Sequence, residues 1–329
     1  MLPSYNNYDS GFWSWDTYKQ AVGMAPFAPQ LAKNQLRLLV AGRDFATDHI
    51  PDKVDRCGVG GGCAGKPPLL SWSVWAVYNE TGDAAFLREM YPVIDGFHRF
   101  WYTHRDTLGI GLCSWTGGME SGMDDGIRFT GAQSVTNHST GVRTFDFHSV
   151  DLNSYLYREK LTLAAMATAL GNRSGAAHWS AEASALLPIL QQHFFKPDAA
   201  GGGGFFQDRY FNGSFVAVQG CEGYAALFCG VATAHQAVAV GKTLSDTKRF
   251  LLNFSLPTAS AANPAFNPNG YWKGSTWLDQ VWFAYTGLKA YGLHDLAENI
   301  KGRTLSKGRG FQAGDSTPLN EHCRFFGRV

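Results

Sequence analysis

Asp151-Leu152-Asn153-Ser154-Tyr155-Leu156, running on to Leu170-Gly171-Asn172, is the clearest helical stretch in the chain. Leu152, Tyr155, Leu156, Leu163, Met166 and Leu170 stand at offsets 0, 3, 4, 11, 14 and 18, so they share one face. Gly171-Asn172 ends the stretch, and Ala176 to Phe194 supplies a second helix. Helix, short break and helix make a hairpin, and the same unit recurs outward in both directions. Upstream, residues 11–22 lead into one helix and 29–45 read as the next, with Leu31, Leu38 and Leu39 on one face. Pro67-Pro68 starts a helix through Trp72, Trp75 and Tyr78, proline suiting a first turn. After Gly82-Asp83 another runs from Phe86 to Trp101. Downstream, Phe205 to Val218, with Asn212-Gly213 at its centre, reads as a β-hairpin inserted between helices. Two or three short helices follow to about Phe254, then a long one from Leu278 to Tyr291 and another from Asp295. The pattern predicts an all-α fold, an α/α toroid of helical hairpins with a small β-hairpin insertion. Long aromatic loops place its cleft at one end of the hairpins. No fixed-length repeat is present, which excludes a TPR-like solenoid.

Composition narrows the partners. The chain has 329 residues and a net charge of +1, with 17% charged residues, so nothing suggests a nucleic-acid groove. No apolar run approaches a membrane span. Met1 to Asn7 lacks the charged and apolar regions of a signal peptide. Aromatic residues reach 14%, ten of them tryptophan, and many lie in polar, glycine-rich stretches. Sugars stack their C–H faces on such rings, although most tryptophans fill cores. Sequons at Asn79, Asn137, Asn172, Asn212 and Asn253 hint at a secretory route. The six cysteines show no zinc-site spacing, and Cys57 and Cys63 flank a glycine run that a disulfide could close. Gly60 to Lys66 mimics a phosphate-binding loop, but Pro67 stands where a hydroxyl should hold magnesium and no strand precedes it. No cofactor or metal is called for.

The functional question turns on Glu120-Ser121-Gly122-Met123-Asp124-Asp125-Gly126-Ile127-Arg128-Phe129. Gly122 and Gly126 favour a turn, and the stretch sits in a long loop from Leu108 to Phe147. Two further segments interleave aromatics with carboxylates or lysines, Phe12 to Lys19 and Tyr271 to Trp277. A fourth, Leu319-Asn320-Glu321-His322, lies near the C-terminus. Hydrolysis of an acetal needs one protonated carboxyl at the leaving oxygen and a second carboxylate as nucleophile or as base for water. Asp16, Glu120, Asp124, Asp125, Asp279 and Glu321 are the candidates. Residue chemistry alone leaves each of them equally open to a structural ion pair.

These segments resemble the catalytic domain of glycoside hydrolase family 63, which includes processing α-glucosidase I, bacterial α-glucosidases and mannosylglycerate hydrolase-like enzymes. The resemblance rests on Gly11-Phe12-Trp13-Ser14-Trp15-Asp16, Lys66-Pro67-Pro68, Glu120-Ser121-Gly122-Met123-Asp124, Asp151-Leu152-Asn153 and Tyr271-Trp272-Lys273-Gly274 with Trp277-Leu278-Asp279-Gln280, in the family's order. It implies a six-hairpin (α/α)6 toroid and an inverting mechanism on an α-glycoside, most readily an α-glucoside in an oligosaccharide or small glucoside. Asp124 matches the general acid and Glu321 the general base. Phe12, Trp13, Trp15, Asp16, Lys19, Glu120, Tyr271, Trp272, Lys273, Gly274 and Trp277 are the expected sugar-binding set. Asp125 and Glu120 are expected to tune Asp124. After Glu321-His322 the family's Tyr-Asn-Pro is missing, and the chain starts at the first catalytic helix without the family's N-terminal β domain. A single catalytic domain over 1–329, lacking that β domain and the closing helix, is therefore expected. The alternatives are a non-catalytic sugar-binding domain, a trehalase, or a glycoside phosphorylase of the same fold.

Overall fold

A computed structural model describes residues 12–54, 64–199, 202–308, 310–311, 314–315 and 322–323. Eleven α-helices run through them: α1 (Ser14–Met24), α2 (Pro29–Ala41), α3 (Leu70–Thr81), α4 (Ala84–Arg105), α5 (Gly118–Ser121), α6 (Val150–Ala169), α7 (Arg173–Phe194), α8 (Tyr224–Phe228), α9 (Ala234–Leu244), α10 (Leu278–Ala290) and α11 (His294–Lys307). The strands are two or three residues long: β1 (Ser134–Thr136), β2 (Arg143–Phe145), β3 (Phe147–His148), β4 (Phe195–Pro197), β5 (Gly204–Phe206), β6 (Arg209–Tyr210), β7 (Thr276–Trp277) and β8 (His322–Cys323). All their pairings are antiparallel: β1 with β2, β3 with β6, β4 with β5, β7 with β8. The chain divides into two compact units. One comprises Met1–Gly122, Ser134–Phe145 and Tyr155–Leu186; the other comprises Met123–Gln133, Asp146–Ser154 and Leu187–Val329.

In the first unit α1, α2 and α3 pack on one another and α3 on α4. The helix ends follow local chemistry. Asp83 caps α4 by accepting from the N–H groups of Ala85 and Phe86, both at 3.0 Å. Gly82 ends α3 with φ +63°, a conformation that glycine adopts freely. The α2 face differs from the sequence expectation. Ala32, Leu36, Leu39 and Val40 are buried, whereas Leu31 and Leu38 are exposed. Leu39 alone of the three expected leucines faces inward, because three apolar residues did not fix the phase of so short a helix. Inside this unit the Glu159 carboxyl lies 2.8 Å from Nδ1 of His98. Burial pushes Glu159 well up and His98 well down. The contact therefore joins two neutral groups rather than a salt bridge.

In the second unit α8 and α11 pack against α10, and β5 packs against α9. Phe228 stacks on Phe283 with centroids 4.3 Å apart. Thr233 and Gln236 form a capping box at the start of α9. The expected turn at Asn212-Gly213 is present: Gly213 donates to the Tyr210 carbonyl at 2.8 Å and has φ +88°. Arg209 bridges Phe215 across that turn, while β5 and β6 find their main partners in β4 and β3. No helix among the described residues is long and apolar enough to cross a membrane. Cys57, Cys63 and most of the glycine run beside them lie outside the described residues.

Candidate active site

In the first unit, Phe12 to Ser14 runs beside Asp52 to Val54. Val54 donates to the Phe12 carbonyl at 3.2 Å and Ser14 donates to the Asp52 carbonyl at 3.0 Å. This pairing delivers Trp15, Asp16 and Lys19 into the first turns of α1. Trp15 is buried, with the Lys19 ammonium 4.1 Å above its ring. Asp16 and Trp13 are half-buried. Gly122 lies against the Trp15 indole: it has φ +76°, and a Cβ there would come 3.3 Å from the ring. Glycine before Met123 is thus required both by backbone conformation and by close approach.

Glu120 is fully buried on α5. Its carboxylate accepts from Arg105 Nη2 at 2.6 Å and Nε at 2.9 Å, and from the Thr116 N–H and hydroxyl at 2.8 and 2.9 Å. Burial pushes the carboxyl up, but Arg105 and Thr116 outweigh it and hold it below the usual range. Glu120 is therefore an ionised anchor of its own loop. Lys66, the lysine of the phosphate-loop lookalike, donates its ammonium to the Met119 carbonyl.

In the second unit the stretch Met123–Phe129 closes on itself. Gly126 donates to the Met123 carbonyl at 2.9 Å and Phe129 donates to that of Gly126 at 3.0 Å. The Cys221 thiol, kept protonated by burial, donates to the Met123 thioether at 3.6 Å. Asp125 accepts from the Trp272 N–H at 2.8 Å, with the Lys273 ammonium 3.5 Å from its other oxygen. Arg128 is buried and forks onto Asp151 at 2.6 and 3.0 Å, with Asp208 at 3.3 Å. Asp208 in turn accepts from the Val150 N–H at 2.8 Å, at the head of α6. Asp124 lies half-buried within this fastened loop.

The aromatic stretch that Asp125 holds is itself tightly built. Trp272 stacks on Trp277 with centroids 3.8 Å apart and planes 14° apart, and both are buried. The Trp277 indole donates to the Tyr271 carbonyl at 2.8 Å, and Tyr271 is half-buried. Gly274 admits the Asn267 carbonyl, which would lie 2.5 Å from a Cβ. Backbone pairing sets His322 opposite Trp277. Glu321, the expected base, lies outside the described residues.

The sequence reading missed the roles of Arg128 and Asp208. Asp151 was visible as the opening of a helix, but not as a partner of Arg128. Asp208 is a single carboxylate with no spacing signal. Among the described residues no group of His, Cys, Asp or Glu could hold a metal ion.

The family profile described as the mannosylglycerate hydrolase MGH1-like glycoside hydrolase domain matches residues 9–313. Mannosylglycerate hydrolase MGH1 of Selaginella moellendorffii is 24% identical over 88% of this chain and 71% of its own length. The crystal structure of the GH63 mannosylglycerate hydrolase from Thermus thermophilus in complex with Tris superposes with a TM-score of 0.78. It covers 93% of this chain and 87% of its own at 19% identity. Neutral trehalase Nth1 from Saccharomyces cerevisiae gives 0.72 at 16% identity, covering 92% and 65%. These likenesses place the fold in the (α/α)6 class.

Proposed function

The chain belongs to the MGH1-like glycoside hydrolase family, within the family 63 likeness its motifs carry, and on that footing we propose that it cleaves an α-glycosidic bond with inversion. Asp124 is the general acid and Glu321 the general base. The observation that supports Asp124 best is the fastening of its loop in the second unit: Met123 on Cys221, Asp125 on the Trp272 N–H, Arg128 on Asp151 and Asp208. A proton donor must be held in place, because misplacement by about 1 Å costs on the order of a hundredfold in rate. Asp124 sits between all three fastenings and is itself half-buried.

In this reading Asp124 protonates the leaving oxygen while Glu321 removes a proton from the attacking water on the opposite face. Such pairs stand about 6.5–9.5 Å apart to admit that water. Trp15, Asp16 and Lys19 on α1, with Phe12 and Trp13 before it, are the proposed sugar contacts of the first unit. Tyr271, Lys273 and the edges of Trp272 and Trp277 are those of the second. The relatives named mannosylglycerate hydrolases make mannosylglycerate the first substrate to try and α-glucosides the second, with trehalose as the control.

The reading is tested by supplying these compounds and following the released sugar by NMR. The first-formed product is expected to be the β-anomer. Asp124→Asn is expected to lose about 10²–10⁴-fold in kcat, the usual contribution of a general acid, with an unchanged thermal melt. An α-anomer from an α-substrate would overturn inversion. An asparagine variant as active as the parent would overturn the role of Asp124.

A further inference from the structure

Residues 207–218 take no part in the chemistry proposed above, yet they hold Asp208 from both sides. The buried Gln207 side chain donates to the carbonyls of Val216 and Val218 at 3.0 and 2.7 Å. The Val216 N–H in turn donates to the Asp208 carbonyl at 2.9 Å. The Arg209 guanidinium spans the turn, donating to the Gly213 carbonyl at 2.8 Å and to the His193 carbonyl at 3.2 Å. Directly after Asp208, β6 pairs with β3, His148 opposite Arg209 and Phe147 opposite Tyr210. Directly before it, the Gln207 N–H donates to the Phe194 carbonyl at 2.9 Å, at the end of α7. Hydrogen bonds on each side thus fix the backbone that presents Asp208.

The Asp208 carboxylate has two partners. It accepts from the Val150 N–H at 2.8 Å, and Nη1 of Arg128 stands 3.3 and 3.4 Å from its oxygens. The same Nη1 donates to Asp151 at 3.0 Å, and Nη2 donates to Asp151 at 2.6 Å. One guanidinium therefore serves two carboxylates, and all three groups are buried. The head of α6 offsets the excess negative charge. The N–H groups of Val150 and Leu152, the latter 2.9 Å from Asp151, belong to the positive end of a 20-residue helix. Asp151 thus grips Arg128 from α6, and Asp208 grips it from the hairpin. A guanidinium held by a single fork can still pivot on it, and a second anion on a separate element removes that freedom.

We propose that the 207–218 hairpin braces the Asp124 loop, with Asp208 as a positioning residue that acts through Arg128. The inference rests on the reading of Asp124 as the acid, and it gives the inserted hairpin a task in turnover.

Three variants of the full chain test this. Asp208→Asn keeps an oxygen for the Val150 N–H and removes the charge facing Arg128, which Asp151 still balances, so it is expected to fold. Asp208→Ala removes both contacts. Gln207→Met unlaces the hairpin without touching the Arg128 cluster. Steady-state kinetics and hydrogen exchange of the Met123–Phe129 amides are read together. The kcat should fall about tenfold in Asp208→Asn and about a hundredfold in Asp208→Ala, the scale of a displacement of about 1 Å. Gln207→Met should fall between the parent and Asp208→Asn. KM should stay within about twofold of the parent, because a misplaced acid weakens the transition state and not the bound substrate. The loop amides should exchange faster in all three. An Asp208→Asn variant with the parent's kcat and the parent's loop exchange overturns the brace. A fall in kcat with unchanged loop exchange, or with KM rising in step, overturns the action through the loop. If neither Asp208 variant melts cooperatively, Gln207→Met decides, and parent-like exchange and kcat there overturn the hairpin's role. Loop exchange needs no substrate, so a failure of the glycosidase reading shows separately: an active Asp124→Asn beside faster loop exchange removes the acid and leaves the brace.

Discussion

Asp125 is given no proton to move, yet it decides where the Tyr271–Trp277 stretch lies. Two contacts hold it, and they are not equal. The Lys273 ammonium is 3.5 Å away, with both side chains about two-fifths exposed, so solvent screens that pair to about 0–1 kcal/mol. The Trp272 N–H at 2.8 Å belongs to a buried residue, and losing its acceptor costs about 1–3 kcal/mol. Asp125→Ala should therefore lower stability by about that amount and raise KM, because Trp272 and its stacked partner Trp277 lose their tether. Asp125→Asn keeps an oxygen for the Trp272 N–H and should recover most of both. Steady-state kinetics with thermal melts decide it; an alanine variant with the parent's KM would show that the tether does not reach the sugar site. Reading a carboxylate beside Asp124 as a tuner of its charge was natural from sequence, since adjacency is all a sequence displays. The structure adds a mechanical task for Asp125 and an ion pair with Arg105 for Glu120.

At the level of elements, the pairing of α8 with α10 depends on Gly287. A Cβ there would stand 2.7 Å from the Leu227 Cβ and 2.8 Å from backbone atoms of Leu227 and Phe228. In an exposed helix Gly→Ala gains about 1 kcal/mol from propensity alone. Here the new methyl meets backbone, which cannot yield like a flexible side chain, and overpacking of this kind costs about 1–3 kcal/mol. The second effect should win: Gly287→Ala is expected to melt below the parent, and a variant melting above it would show that the helices can part. The sequence displayed the helices well, because the apolar period and the glycine breaks are local. It did not display phase in α2, where Leu31 and Leu38 turned out exposed. Nor did it display the strand partners near Asn212-Gly213, which depend on what lies across the fold. The site divides along the same line. The turn around Asp124 was legible because Gly122 and Gly126 stand within a few residues of it. The Arg128 cluster was not, because Asp151 and Asp208 are 23 and 80 residues distant along the chain.

For the molecule as a whole, the proposed role of Glu321 separates folding from turnover. Among the described residues the last helix is α11, ending at Lys307, and beyond it β8 pairs with β7, Thr276 opposite Cys323 and Trp277 opposite His322. So short a ladder adds little to the stability of a chain whose buried apolar side chains come from the helices, since net hydrogen-bond contributions are only about 1 kcal/mol each. Its proposed consequence for chemistry is larger, because the C-terminal segment carries Glu321, the proposed base, next in sequence to His322. A chain ended after Gly308 should keep the parent's helical circular dichroism and a single cooperative melt, displaced by no more than a few kcal/mol of stability. Its kcat should fall about 10²–10⁴-fold, the scale of a lost general base. Glu321→Ala in the full chain should match that fall in kcat. It should differ from the shortened chain in KM, because β8 still braces the backbone of Trp277. If the shortened chain turns over substrate like the parent, Glu321 is not the base and the water-activating carboxylate lies among the helices. If it fails to melt cooperatively, the terminal pairing belongs to the fold rather than to the site.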